Sequence, residues 1–262
     1  MTSLVSMARS LGVVPNSRWH TLAFLAGNGG RSPVYLGVEV DASAMLARRA
    51  DTAAASIVAQ VVAAVGTVWA RHPEANSSFT SLGLPFVARH RDVDVKLSFD
   101  ITVAGTRTVQ SAILAAAQNV SATEVTEWIA ATRTRLEAGD RGPVRALQFL
   151  PGVAGRAAFE LATLLPWGHR SLGTVAVTSL GHRPIRHFYS DGGTTMTVGI
   201  SRLTETVALV NDAVVSRTVL PLSLTFDHRV IDGALAAEVA ADLVSALESP
   251  VARTAPELER TV

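Results

Sequence analysis

Two pairs of strand-like segments are joined by turns too short for a crossover, and this feature constrains the fold most. Residues 93–103 and 106–114 both read as strands, with the turn dipeptide Ala104-Gly105 between them. Residues 206–211 and 214–225 form a second pair, and Asn211-Asp212 is a hairpin turn signal. Strands joined in this way run antiparallel, because a parallel connection needs a dozen or more residues. Helical segments interrupt the strands without strict alternation, so the sequence predicts an α+β fold with a mixed, largely antiparallel sheet flanked by helices.

The remaining elements follow from periodicity and punctuation. Further strands are predicted at 33–41, 84–90, 173–178 and 196–200, and helices at 43–49, 52–72 and 234–247. Ser121 with Glu124 three residues later is a capping-box signature, which opens another helix that runs to about residue 137. With no internal repeat and no low-complexity linker, residues 1–262 are predicted to form one domain.

One uncharged stretch, residues 52–70, approaches the length of a membrane span. It is rich in alanine and follows Asp51, a plausible N-cap, so a helix buried in a soluble core is the preferred interpretation. Residues 140–170 form an apolar insert with scattered arginines, for which a lid, an oligomer contact or a membrane-surface element are all open. A lid or an oligomer contact is favoured, and membrane contact is not expected.

The composition narrows the classes of function. Only 17% of the 262 residues are charged, below the ~25% typical of soluble domains, which indicates extensive burial or subunit contacts. A net charge of +1 gives no electrostatic argument for nucleic-acid binding. The absence of cysteine excludes disulfides, cysteine–zinc sites and thiol nucleophiles, and no histidine pair has metal-ligand spacing, so no metal is expected. No signal peptide is predicted at the N-terminus, and a cytoplasmic location is expected.

The segment with most chemical content lies near the C-terminus. A predicted strand runs directly into Asp227-His228-Arg229, and a turn then brings Asp232-Gly233 to the head of the last helix. Histidine is the usual general base near neutral pH, and a strand end holds a side chain rigidly but within reach of solvent. Asp232 can cap the helix or hold the loop that carries His228. A histidine between two acids is by itself more often a surface turn residue.

The whole string Leu222-Ser-Leu-Thr-Phe-Asp-His-Arg-Val-Ile-Asp-Gly-Ala resembles the signature of the 2-oxo acid dehydrogenase acyltransferase catalytic domain, a relative of chloramphenicol acetyltransferase. The segment Thr174 to Gly181 resembles the part of that family that carries an essential serine or threonine. Weaker matches in consistent order extend the resemblance over about residues 18–249, with a gap near 140–170.

The resemblance implies a chloramphenicol acetyltransferase-like sandwich that assembles as trimers, with each active site in a channel between two subunits. It also implies acyl transfer between thioesters, with coenzyme A or an acyl thioester as co-substrate and no tightly bound cofactor. His228 would be the general base, Thr178 the hydroxyl donor to the oxyanion, and Asp232 the residue that orders the loop. Asp232 would be paired with Arg18, and Gly233 would support the turn.

The chain also departs from the family. A stand-alone acyltransferase is expected, without the lipoyl and peripheral-subunit-binding domains that precede this core in the family. Residues 183–195 replace the usual apolar, proline-rich run, so the substrate-binding residues, the acyl donor and the acceptor stay open. Two alternatives are kept: a non-catalytic scaffold of an oligomeric assembly, and a secondary-metabolism enzyme that uses the same histidine for another reaction.

Overall fold

A mixed β-sheet with helices packed on one side forms the centre of the protein. The computed structural model describes residues 30–51, 55–81, 85–103, 105–140 and 172–249. Its strands are β1 (Pro33–Asp41), β2 (Ser77–Ser81), β3 (Pro85–Arg89), β4 (Val95–Val103), β5 (Thr106–Leu114), β6 (Val175–Ser179), β7 (Met196–Ile200), β8 (Thr204–Val210) and β9 (Ala213–Asp227). Its α-helices are α1 (Ser43–Asp51), α2 (Ile57–Arg71), α3 (Ala122–Glu137) and α4 (Gly233–Glu248).

The main sheet has seven strands in the order β1-β9-β7-β6-β4-β5, and β8 pairs with the first half of β9. The pairs β4–β6 and β6–β7 are parallel, and the other four pairs of this sheet are antiparallel. A separate hairpin consists of β2 and β3. The predicted mixed, largely antiparallel sheet is therefore confirmed.

The alternation of side chains separates the two faces of this sheet. In β4, Val95, Leu97, Phe99 and Ile101 are buried, and they join a single core cluster with residues of α2, α3 and α4. We call the opposite side of the sheet the polar face. There the paired residues Lys96, Ala176, Thr197 and Thr225 form one row across four strands.

The sequence placed most elements correctly. The capping box at Ser121 is present, with both the Glu124 N–H and the Ser121 N–H satisfied. Asn211 and Asp212 both have positive φ, 49° and 61°, as the tight hairpin turn requires.

Two predictions need correction. The long apolar helix was expected from residue 52 with Asp51 as its cap, but α2 begins at Ile57 and Ser56 caps it, its Oγ accepting from the Ala59 N–H at 3.2 Å. Asp51 is instead the last residue of α1. Strand β2 was not predicted, because its Ser-Ser-Phe-Thr-Ser sequence has no apolar alternation and its strand form comes from pairing with β3.

Helix α2 has 15 residues, about 22 Å, against the ~30 Å of a bilayer core. In the parts of the chain that the structure describes, no helix is long and apolar enough to cross a membrane. The predicted apolar insert, apart from residue 140, and the whole segment that contains Arg18 lie outside the described residues.

Candidate active site

His228 lies directly after the last residue of β9. Its backbone N–H donates to the Ser32 carbonyl at 2.9 Å, which extends the β1–β9 ladder by one residue. The Val230 N–H then donates to the Asp227 carbonyl at 3.0 Å and closes a turn. The His228 side chain is exposed, and its ring centroid is 5.6 Å from that of Phe226. The histidine therefore has a fixed backbone and a ring that solvent can reach.

Both neighbours of His228 belong to an ionic network around the buried carboxylate of Asp227. Asp227 is 2% exposed and accepts from Arg229 through both carboxylate oxygens, at 3.0 Å from Nε and 2.7 Å from Nη2. Arg31 Nη2 lies 3.5 Å from the same carboxylate. Burial alone would raise the pKa of Asp227, but the hydrogen bonds from Arg229 and the charge of Arg31 together lower it. The Arg229 guanidinium also stacks on Phe79, 4.3 Å from the ring centroid.

Asp232 stands at the far end of the same turn and is the N-cap of α4. Its Oδ1 accepts from the Leu235 N–H at 2.9 Å, and Gly233 begins the helix in open space. Of the two roles that the sequence left open for Asp232, capping is the one seen in its contacts. Its predicted partner Arg18 lies outside the described residues.

Thr178 is at the opposite end of the sheet from His228. It pairs with Gly199 of β7, which pairs with Ser223 of β9. From Ser223 to His228 is five residues, about 17 Å along the strand, and two strand spacings add about 10 Å across it, so the two Cα atoms are roughly 20 Å apart. Thr178 also lies on the polar face, whereas the His228 ring is on the side of Phe226. One chain brings His228 and Asp232 into one turn, but it does not bring Thr178 to them.

The segment of residues 183–195, which the sequence singled out only as a departure, covers part of the polar face, and we call it the cover segment. The Phe188 N–H donates to Ser223 Oγ at 3.3 Å, and the Tyr189 ring meets the Tyr35 ring at 5.3 Å between centroids. These contacts were missed because the sequence does not reveal what lies on a strand's second face. Alternation in β9, which predicts a polar Ser223–Thr225–Asp227 face, was the available signal.

Lys96 is a second residue that the sequence analysis missed. It is largely buried on the polar face, and its Nζ donates to the Gly192 carbonyl. Burial, together with the nearby charge of Arg31, lowers the pKa of Lys96 to about 8, although Asp191 opposes the shift. Arg31 Nε is 3.3 Å from the Asp191 carboxylate, so one arginine joins the cover segment to Asp227. Among the described residues, no group of three or more His, Asp or Glu side chains could hold a metal ion.

Comparison with known proteins shows what this region is similar to. Residues 171–254 match the family model for the 2-oxoacid dehydrogenases acyltransferase (catalytic domain). The dihydrolipoyllysine-residue acetyltransferase component of the acetoin cleaving system of Bacillus subtilis (strain 168) is 38% identical over 81 residues. Those residues are 30% of this chain and 20% of the relative, so the match spans about a fifth of that protein's length.

Several solved structures share the fold over nearly the whole chain. The cubic core of the pyruvate dehydrogenase multienzyme complex has a TM-score of 0.74 at 18% identity, covering 95% of this chain and 96% of that one. The dihydrolipoamide acetyltransferase of Azotobacter vinelandii gives 0.74 at 17% identity with the same coverage. Chloramphenicol acetyltransferase gives 0.52 at 13% identity over 90% of this chain and 99% of its own. The predicted chloramphenicol acetyltransferase-like fold is confirmed.

Proposed function

We propose that this protein transfers an acyl group between thioesters, with His228 as the general base. One observation carries the proposal: an exposed histidine stands on a locked turn, within the residues that match an acyltransferase catalytic domain. The pairing of the buried Asp227 with Arg229 fixes the backbone on both sides of His228 and leaves the imidazole as the reactive group.

The chemistry needs a base and an oxyanion donor. A thiol with a pKa of about 8.5 is mostly protonated at neutral pH, so an imidazole that removes its proton accelerates attack by roughly 10²–10⁴-fold. In the proposed step the sulfur attacks the thioester carbonyl carbon while His228 accepts the proton. Thr178 donates its hydroxyl hydrogen bond to the tetrahedral oxyanion. The original C–S bond then breaks, and the departing thiolate takes the proton back from His228.

We further propose that two copies of the chain share each site. The roughly 20 Å between His228 and Thr178 exceeds what one reacting thioester can bridge, since reacting atoms must approach to ~3–3.5 Å. A homo-oligomer, expected to be a trimer, would place Thr178 of one copy opposite His228 of the next. The cubic core of the pyruvate dehydrogenase complex, whose subunits have this fold, supports such an assembly.

Asp232 is proposed to act through the turn rather than on the substrate. The Azotobacter vinelandii enzyme has been studied for the catalytic roles of a serine, a histidine and an asparagine four residues after that histidine. Asp232 follows His228 at the same spacing. In this chain the side chain at that position caps α4, so it sets the angle at which the turn leaves the helix.

The substrates we propose are coenzyme A thioesters as donors and dihydrolipoyl thiols as acceptors, or the reverse, in line with the names of the relatives. The test is transfer from acetyl-CoA to dihydrolipoamide, measured as S-acetyldihydrolipoamide by mass spectrometry. His228→Ala should lower the rate at least ~100-fold, while His187→Ala, which removes another exposed histidine, should leave it unchanged. A folded His228→Ala variant with wild-type activity, or a wild-type protein without transfer, would contradict the proposal.

A further inference from the structure

The surroundings of Thr178 on the polar face are closed on one side by an aromatic ring. Four residues form a row across the sheet: Thr178 pairs with Gly199, Gly199 with Ser223, and Ser223 with Gly37. Paired residues on neighbouring strands point to the same face, and neighbouring strands are only about 4.8 Å apart. Two of the other three positions in this row, Gly199 and Gly37, have no side chain, which leaves room above the sheet.

Phe188 occupies this room next to Thr178. A β-carbon built on Gly199 would lie 3.2 Å from Phe188 Cζ and 2.9 Å from the Phe188 carbonyl oxygen, so the ring rests directly on the glycine. The hydrogen bond from the Phe188 N–H to Ser223 Oγ anchors its backbone over the next strand. Tyr189 lies at the far end of the row, where a β-carbon on Gly37 would be 3.1 Å from its hydroxyl.

A second side of Thr178 is closed by the backbone of the same segment. Gly192 packs on Ala176, the polar-face neighbour of Thr178 along β6, so tightly that a β-carbon on Gly192 would collide with the Ala176 β-carbon. The Gly192 N–H donates to Thr197 Oγ1 at 2.9 Å, and its carbonyl accepts from Lys96. These bonds hold this part of the segment against the sheet.

From this geometry we infer that Phe188 is a specificity-determining residue that limits the transferred group to short acyl chains. The inference rests on the proposed function, in which Thr178 binds the thioester oxyanion. An acyl carbonyl at Thr178 has the Phe188 ring on its β7 side and the Gly192 backbone along β6. Each methylene that does not fit such a pocket lowers the affinity for the acyl group by about 10-fold or more.

The inference can be tested without catalysis by titrating the full chain calorimetrically with S-ethyl-, S-butyl- and S-hexyl-coenzyme A, thioethers that cannot transfer their chains. Wild-type affinity should fall at least ~10-fold from ethyl to hexyl. Phe188→Ala should abolish that fall, and Phe188→Leu, which keeps an apolar side chain on Gly199, should reduce it. Tyr189→Ala is the matched control and should retain the wild-type series, because Tyr189 lies over Gly37 and not beside Thr178.

Equal chain-length dependence in the wild type and in both folded Phe188 variants would overturn the inference, as would absence of binding by all three thioethers. Failure of this inference can be distinguished from failure of the proposed function. If acetyl transfer depends on His228 but the series ignores Phe188, only the inference fails. If the Phe188 variants change the chain-length dependence as expected but no acetyl transfer occurs, the pocket assignment stands and the proposed reaction is wrong.

Discussion

His228→Ala and Thr178→Ala should each inactivate the protein, yet restore each other when the two variants assemble together. In one chain these residues lie roughly 20 Å apart, at opposite ends of the sheet and on opposite faces. A thioester carbonyl must contact both the attacking thiol beside the base and the hydroxyl donor. A site shared between copies therefore takes the two residues from different chains.

The size of the recovery follows from this sharing. In a closed assembly of equal amounts of both variants, half of the copies supply His228 and half of their neighbours supply Thr178, so about a quarter of the sites are intact. The mixed assembly should show about a quarter of the wild-type rate, against roughly 1% or less for either variant alone.

Co-expression of the two variants, followed by the acetyl-CoA to dihydrolipoamide assay, measures the recovery. Assemblies of each variant purified separately and then mixed provide the control, since they contain no interface with both residues. Recovery that stays at the level of the single variants in a proven mixed assembly would refute the shared site and the separation on which it is based.

Two further predictions concern stability. Lys96→Met should change the pH dependence of unfolding in urea. The free energy of unfolding of the wild type should rise by roughly 2–3 kcal/mol relative to the variant between pH 7 and 10. The reason is that the pKa of Lys96 is about 8 in the folded state and 10.5 in the unfolded state, so stability rises with pH in this window. A difference in unfolding free energy that stays constant with pH would show that the pKa of Lys96 is not lowered in the folded state. Asp232→Ala should lower the free energy of unfolding by about 1 kcal/mol through loss of the α4 cap, whereas Asp232→Asn, which can still accept from the Leu235 N–H, should stay near the wild type in thermal melts. Equal destabilisation by both substitutions would count against capping.

Most of the fold could be predicted from patterns between residues that are close in sequence. The strand β1, both principal hairpins and the capped helix α3 follow from alternation, turn residues and a capping box, because each depends on neighbours in sequence. Strand β2 escaped prediction since its form depends on pairing with β3 and not on its own five residues. The start of α2 was misplaced because two residues, Asp51 and Ser56, both qualify as caps, and only the end of α1 decides between them.

The candidate site was predictable only where its residues are close in sequence. His228, Asp232 and Gly233 lie in one turn, so a single motif located them together. Thr178 could be named by its own motif, but its distance from His228 depends on the strand order β6-β7-β9 and on the register, which no local pattern contains. Phe188 and Lys96 were missed for a related reason, because their importance comes from what they contact across the sheet.

The contacts of Arg31 connect two segments that the sequence treated as separate, the cover segment and the turn that carries His228. Its guanidinium lies against Asp191 of the cover segment and against Asp227 beside His228, and it donates to the Thr194 carbonyl at 2.6 Å. Burial is the largest influence on this arginine and lowers its pKa, while both carboxylates favour its charged form. Because a buried arginine that loses one carboxylate keeps its desolvation cost, a change at Asp191 is transmitted to Asp227. Within each copy of the chain, the segment that bears Phe188 and the turn that bears His228 are thus joined by one set of ion pairs through Arg31.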